Sequence, residues 1–289
     1  MIRREYRFAG LEFAVSMPED MVYENEYRLT AFRTEETKDP ILLRVEKAAE
    51  LTPPSGTCVE SQSSFCIYRE GEDQIRYIGT PNRSWEDAWQ RAALRGKTID
   101  VQLREDRFPG RIGTKPVLDA MMAEHLLLQK QGFVFHCSYI DRDGKAILFT
   151  APSQTGKSTQ AELWKKYRNA QIVNGDRAAV RIVDGAVMAE GIPFSGSSDY
   201  CENKSLPILA IVYLGQAPVT ALRKLRGYEA FSRIWEGISV NTWDREDMEK
   251  AADAVMAVAK CVPVYHMACT PDESAVEVLE QELRKLVSE

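Results

Sequence analysis

No apolar run in this sequence approaches the roughly twenty residues that a membrane-spanning helix needs, so no such span is expected. The opening residues Met1-Ile2-Arg3-Arg4-Glu5-Tyr6 carry two arginines with no long apolar stretch behind them, which does not read as a secretory signal. Cysteine is sparse. Cys58, Cys66, Cys137, Cys201, Cys261 and Cys269 form no Cys-x-x-Cys pair, which argues for reduced thiols in a cytoplasmic protein and against a zinc site. His125, His136 and His266 are too dispersed to announce a metal centre. No basic tract is interleaved with aromatics, and the formal charge is -6. Broad attraction to nucleic acid or to an anionic membrane is therefore excluded. There is no Gly-x-Ser-x-Gly elbow and no readable Cys/His pairing, so hydrolysis by a serine or cysteine nucleophile has no support.

What is present is the composition of a globular protein, 44% apolar and 28% charged, in 289 residues. That length suits one large domain or two ordinary ones. Residues 1–112 read as a β-rich domain of unassigned role. Residues 6–15 alternate around Gly10 as a hairpin does, and 41–45 form another strand. Residues 64–69 and 74–79 flank a second hairpin turn, and 98–103 alternate again. Residues 51–63 read as a loop around Pro53-Pro54-Ser55-Gly56. Trp85 and Trp89 fall in a short helix, as packing residues rather than a ligand cage.

The Pro/Gly-bearing stretch 109–116 marks the expected boundary, and residues 113–289 form the second domain. A long helix is expected from Pro116 to about Gln131, with Leu118, Met121, Met122, Leu126 and Leu127 on its apolar face. Strands and helices then alternate, which argues for an α/β domain. Residues 191–206 are its longest stretch without periodicity, and such loops are uncommon unless they do something.

Within this second domain one stretch carries chemistry. The apolar strand 146–150 runs into Ala151-Pro152-Ser153-Gln154-Thr155-Gly156-Lys157-Ser158-Thr159, after which a helical pattern begins. A helix N-terminus has unpaired N–H groups and partial positive charge, and a loop folded over it adds more N–H groups as an anion nest. Ser153, Gln154, Thr155, Gly156, Lys157, Ser158 and Thr159 are thus the candidate nucleotide-binding residues. Lys157 would face the β- and γ-phosphates of ATP, and the Ser158 hydroxyl would be a Mg²⁺ ligand. The usual first glycine is replaced by Ala151, which serves only if that residue has ordinary backbone angles. Asp176 follows a short strand and reads as a metal-holding carboxylate or as a turn former after Gly175. Glu190 is a second candidate carboxylate. His136 reads as a core residue or a functional one, and Lys204 and Arg177 as surface charges or site cations.

The order His136, strand, Ala151-x4-Gly156-Lys157-Ser158-Thr159, then Val173-Asn174-Gly175-Asp176 resembles the C-terminal domain of HPr kinase/phosphorylase, over roughly residues 115–270. That fold is related to the ATP-dependent phosphoenolpyruvate carboxykinases. The resemblance implies an α/β nucleotide-binding domain that uses ATP and Mg²⁺ to phosphorylate a hydroxyl on a protein, a peptide or a small molecule. It implies catalytic roles for Asp176 with His136, Glu190 or Lys204. The family carries an aspartate pair where this chain has Gly175 and Asp176. A nucleotide-binding regulatory module without transfer is therefore the alternative, and a carboxykinase-like activity a third. The acceptor and the oligomeric state, homo-oligomer included, are left open.

Overall fold

The computed structural model describes residues 1–21 and 27–288, and the chain divides into two compact units, 1–122 and 123–289. No helix among the described residues is long and apolar enough to cross a membrane. Both units are built on large mixed sheets. The first unit contains β1 (Ile2–Phe8), β2 (Leu11–Met17), α1 (Tyr27–Thr30), β3 (Arg33–Thr34), β4 (Ile41–Ala48), β5 (Thr57–Ser61), β6 (Phe65–Glu70), β7 (Asp73–Ile78), β8 (Gln90–Arg95), β9 (Thr98–Arg104) and α2 (Thr114–Ala120). Among the described residues its strands run in the order β3-β1-β2-β4-β9-β8-β7-β6-β5. The expected hairpins form at β1–β2 and β6–β7. Residues 57–61, expected as loop, add an edge strand to β6 instead. Only 85–87 are helical near the two tryptophans. Trp85 packs on Tyr77, with ring centroids 5.8 Å apart, and Trp89 on Phe108 at 5.4 Å.

The expected long helix is two short ones, α2 and α3 (Ala123–Leu128). Met122 sits at φ 50°, where a right-handed helix cannot continue. Methionine is a good helix former, so nothing in the residue type signals that break. The unit boundary falls at 122/123 rather than 112/113. The buried Gln90 amide donates to Pro116 O at 2.9 Å and holds α2 within the first unit.

The second unit continues with β10 (Gly132–Arg142), β11 (Lys145–Thr150), α4 (Lys157–Arg168), β12 (Gln171–Asn174), β13 (Arg177–Val183), β14 (Ala186–Glu190), β15 (Ser205–Gln216), β16 (Ala221–Leu225), α5 (Tyr228–Trp235), β17 (Ile238–Ser239), α6 (Arg245–Cys261), β18 (Val264–Cys269) and α7 (Glu273–Ser288). β11, β15 and β18 lie parallel and side by side. The remaining neighbours are antiparallel, including β10 with β11 and β13 with β14. Side chains alternate across the strands, as the pleat demands. Ile147, Phe149, Val212 and Met267 pack with Ala161 and Trp164 of α4 and Val276 and Leu279 of α7. Leu148, Ile211 and Val264 face the other way, onto Ile234 of α5 and Val255 and Val258 of α6. The unit is thus a sheet with a helical layer on each face, the arrangement parallel strands require.

α7 contributes Ala275, Val276, Leu279 and Leu283 to this packing, and Leu279 is fully buried there. Leu279→Ala is expected to lower stability by about 2–5 kcal/mol, read as a shifted urea midpoint with unchanged slope.

Candidate functional site

The loop between β11 and α4 begins at the carboxyl end of the parallel strands, where open α/β sheets place ligands. Ala151 is 6% exposed and is not among the residues with positive φ, so the missing glycine is tolerated there. The turn is made further along, by Gln154 at φ 65° and Gly156 at φ 117°. The second value lies in the region that favours glycine. Gly156 is also the N-cap of α4, and no side chain caps that helix. Its first N–H groups are thus left for a ligand or for water, with the positive end of the helix dipole behind them.

Lys157 is 8% exposed, and its Nζ donates to Ala151 O at 3.2 Å, back across the mouth of the loop. Burial pulls its pKa below the ordinary lysine value, while the Asp176 carboxylate works in the opposite direction. A partly desolvated ammonium beside a helix N-terminus is a strong anion partner.

Asp176 is positioned through its own backbone, which a neighbouring side chain holds. β12 ends at Asn174, which is fully buried. The Asn174 Oδ1 accepts from the N–H of Asp176 at 2.9 Å and of Arg177 at 3.0 Å. Its Nδ2 donates to Ile192 O and Phe194 O, both at 3.1 Å. One amide therefore fixes both the Asp176 turn and the segment after β14. Asp176 O also accepts from Cys137 N at 3.0 Å. The carboxylate meets His136 Nε2 at 3.4 Å and Arg177 Nε at 3.1 Å. The hydrogen bond from His136, and next the Arg177 charge, outweigh partial burial and hold the Asp176 pKa below the usual value. It stays ionised through the neutral range.

Two glycines press on this turn. A Cβ on Gly196 would come within 2.8 Å of Asp176 Cγ, so the 196 backbone lies directly against the carboxylate. A Cβ on Gly175 would fall 2.2 Å from Ser198 Oγ. No side chain fits at 175 while Ser198 is in place. A cleft of about 560 Å³ opens between α4 and this loop, lined by Ser158, Glu162, Gly175, Asp176, Ser198 and Tyr200 among others. Ser158 and Asp176, far apart in the chain, share its wall.

Glu190 and Lys204 are placed elsewhere. Glu190 forms a two-pronged ion pair with Arg181, and both side chains are largely buried. Lys204 binds Asp141 and, at 2.7 Å, Gln171 Oε1. Asp141 pairs with Ala146 on β11, four residues back from Thr150, or about 13 Å along the strand. The sequence groups both with Asp176 as candidate catalytic residues, and the structure sets them apart from it. Each charge already has a partner, and neither lines the Ser158–Asp176 cleft. His125 is held by Asp247 at 2.8 Å, and that carboxylate also accepts from Asn241 at 2.7 Å. Asn174 and Gly196 were missed as site residues. Asn-Gly-Asp announces a turn, but nothing local says what the asparagine amide will hold.

Over 53% of its length the chain is similar to the structure of the Hpr(Ser) kinase/phosphatase from Coxiella burnetii, at 12% identity and a TM-score of 0.32, covering 97% of that chain. No family model and no curated protein matches. A likeness of this size establishes no activity.

Asn174→Ala would orphan two N–H and two C=O groups, partly buried. It is expected to cost roughly 2–4 kcal/mol in chemical denaturation. Faster hydrogen exchange is expected at residues 176 and 177 than at the α6 core.

Proposed function

We propose that the second unit binds ATP with Mg²⁺ and transfers its γ-phosphoryl group to an acceptor hydroxyl on a protein, a peptide or a small molecule. The observation that carries this reading is Lys157. A buried lysine reaches back to the first carbonyl of a loop that ends at an uncapped helix N-terminus. The N–H groups around residues 153–159 and the Lys157 ammonium would cradle the β- and γ-phosphates. The Ser158 hydroxyl and the Asp176 carboxylate are hard oxygen donors in one cleft, the donor type Mg²⁺ takes. When bound, the cation neutralises charge on the phosphate oxygens.

In the transfer, the acceptor oxygen forms a bond to the γ-phosphorus as the bond to the β–γ bridging oxygen breaks, and ADP leaves. The acceptor proton passes to the Asp176–His136 pair. The lowered Asp176 pKa suits a residue that holds a cation better than one that stores a proton, so His136 is the natural sink of the two.

A second reading is supported by Gly175. The position of the family's other aspartate is sterically closed by Ser198, which fits a nucleotide-binding regulatory module without transfer. Transfer and binding separate the two. With γ-labelled ATP and Mg²⁺, label on an acceptor establishes the kinase; tight binding with no turnover on any acceptor establishes the module.

Lys157→Ala is expected to weaken Mg·ATP binding by roughly tenfold to a hundredfold, the loss of one charge-assisted partner, as read by calorimetry. Unchanged affinity in that variant overturns the nucleotide reading.

A further inference from the structure

The cleft that holds Ser158 and Asp176 also carries hydroxyls of the segment after β14. Ser197, Ser198 and Tyr200 line it. The turn that presents the two serines is closed by its own bonds. Ser198 N donates to Ser195 O at 2.8 Å, and the Ser195 hydroxyl donates to Ser198 O at 3.0 Å. Ser195 is fully buried, and Gly196 at φ 53° makes the bend. The turn is also tied to the carboxylate. The Asn174 amide holds the backbone at 192 and 194, and Gly196 packs on the Asp176 side chain. Ser197 follows directly, its Cα about 3.8 Å from that of Gly196.

The serines of this turn differ in what their hydroxyls do. Ser195 Oγ is spent on Ser198 O. Ser198 Oγ accepts from Tyr200 N at 3.2 Å and lies against Gly175. Ser197 is exposed, and its hydroxyl has no hydrogen-bond partner among the described residues. It shares the cleft with Ser158, the neighbour of the lysine that would meet the β- and γ-phosphates. The γ end of a bound nucleotide and the Ser197 hydroxyl therefore face one space. An unengaged hydroxyl, one residue from a glycine that touches an ionised carboxylate, is what a phosphoryl acceptor requires. Held on a closed turn, it reacts without the entropy cost of capturing a second substrate.

We propose that Ser197 is itself an acceptor of this site, phosphorylated in cis by ATP held on residues 153–159. The proposal rests on the transfer reading above and deepens it by naming a substrate, the chain's own loop. Ser197 Oγ forms the bond to the γ-phosphorus as the bond to the β–γ bridging oxygen breaks. ADP departs, and the hydroxyl proton passes to the Asp176–His136 pair. The product brings about -1.5 to -2 of charge into a cleft already lined by Glu162, Asp176 and Asp199, which opposes the return of Mg·ATP. Transfer to the loop is thus self-limiting.

The full chain is incubated with Mg·ATP and read by intact-mass and peptide mass spectrometry, with calorimetry alongside for nucleotide binding. The expected result is a single phosphate per chain, mapped to Ser197, gained at a rate that does not change when the protein is diluted. Ser197→Ala is expected to lose the phosphate and keep its affinity for Mg·ATP, and Ser197→Thr, which retains a hydroxyl, to take the phosphate up again. Mg·ATP bound with no phosphate gained by the unaltered chain overturns the proposal and leaves the nucleotide reading standing. Phosphate mapped to another residue, a rate that rises with protein concentration, or phosphate still gained by Lys157→Ala also overturns it. If Mg·ATP does not bind at all, the nucleotide reading itself has failed and takes the proposal with it. Should Ser197→Ala lose its cooperative thermal transition, mapping and dilution on the unaltered chain still decide.

Discussion

The candidate site depends on one buried amide. Asn174 terminates β12 and spends its carbonyl on the Asp176 turn and its NH₂ on the 192–194 backbone. A side chain that uses all its capacity in a dry environment has a single low-energy orientation. The groups it holds inherit that rigidity. β12 and the 201–202 backbone add to the same clamp, through the Asn174–Cys201 bridge and the bond from Glu202 N to Val173 O at 3.0 Å. The aperiodic segment after β14 is therefore pinned at both ends, close to where Gly196 meets the Asp176 carboxylate.

Charge follows from that geometry. Lys157, Asp176, His136 and Arg177 come from four places: a helix start, a turn, the middle of β10 and the start of β13. The hydrogen bond from His136, and next the Arg177 charge, lower the Asp176 pKa, while Lys157 carries a desolvation cost that Asp176 partly offsets. A bound polyphosphate would complete the balance, since it supplies the anions the loop, the helix end and Lys157 are arranged to meet. Glu190 and Lys204 show the contrasting case. They are charged, sit near strand ends in the sequence, and are neutralised locally by Arg181 and Asp141.

Much of the framework could be read from residues. Alternation located the β1–β2 and β6–β7 hairpins and the strands around the loop, because period-2 burial leaves a direct trace. The strand-loop-helix order at 146–159 was legible for the same reason, helped by Gly156 and Lys157. Less was legible where the cause is non-local. β5 and β16 are short, partly exposed edge pieces, with alternation too weak to distinguish from loop. Residues 116–131 carried one helical pattern across a backbone reversal at Met122 that residue preference does not encode.

By itself the sequence determined that a small-residue loop with a lysine joins an apolar strand to a helix, and that an aspartate follows a second strand. Those are local facts, carried by residue type and spacing. Only the tertiary structure decided which charges meet. It set Asp176 beside His136 and in one cleft with Ser158, drew Glu190 and Lys204 into ion pairs, and closed position 175 with Ser198. The physical reason is that a charge or a polar atom acquires its role from the neighbours it is buried with, and strand register and sheet order choose those neighbours over separations that no local pattern spans.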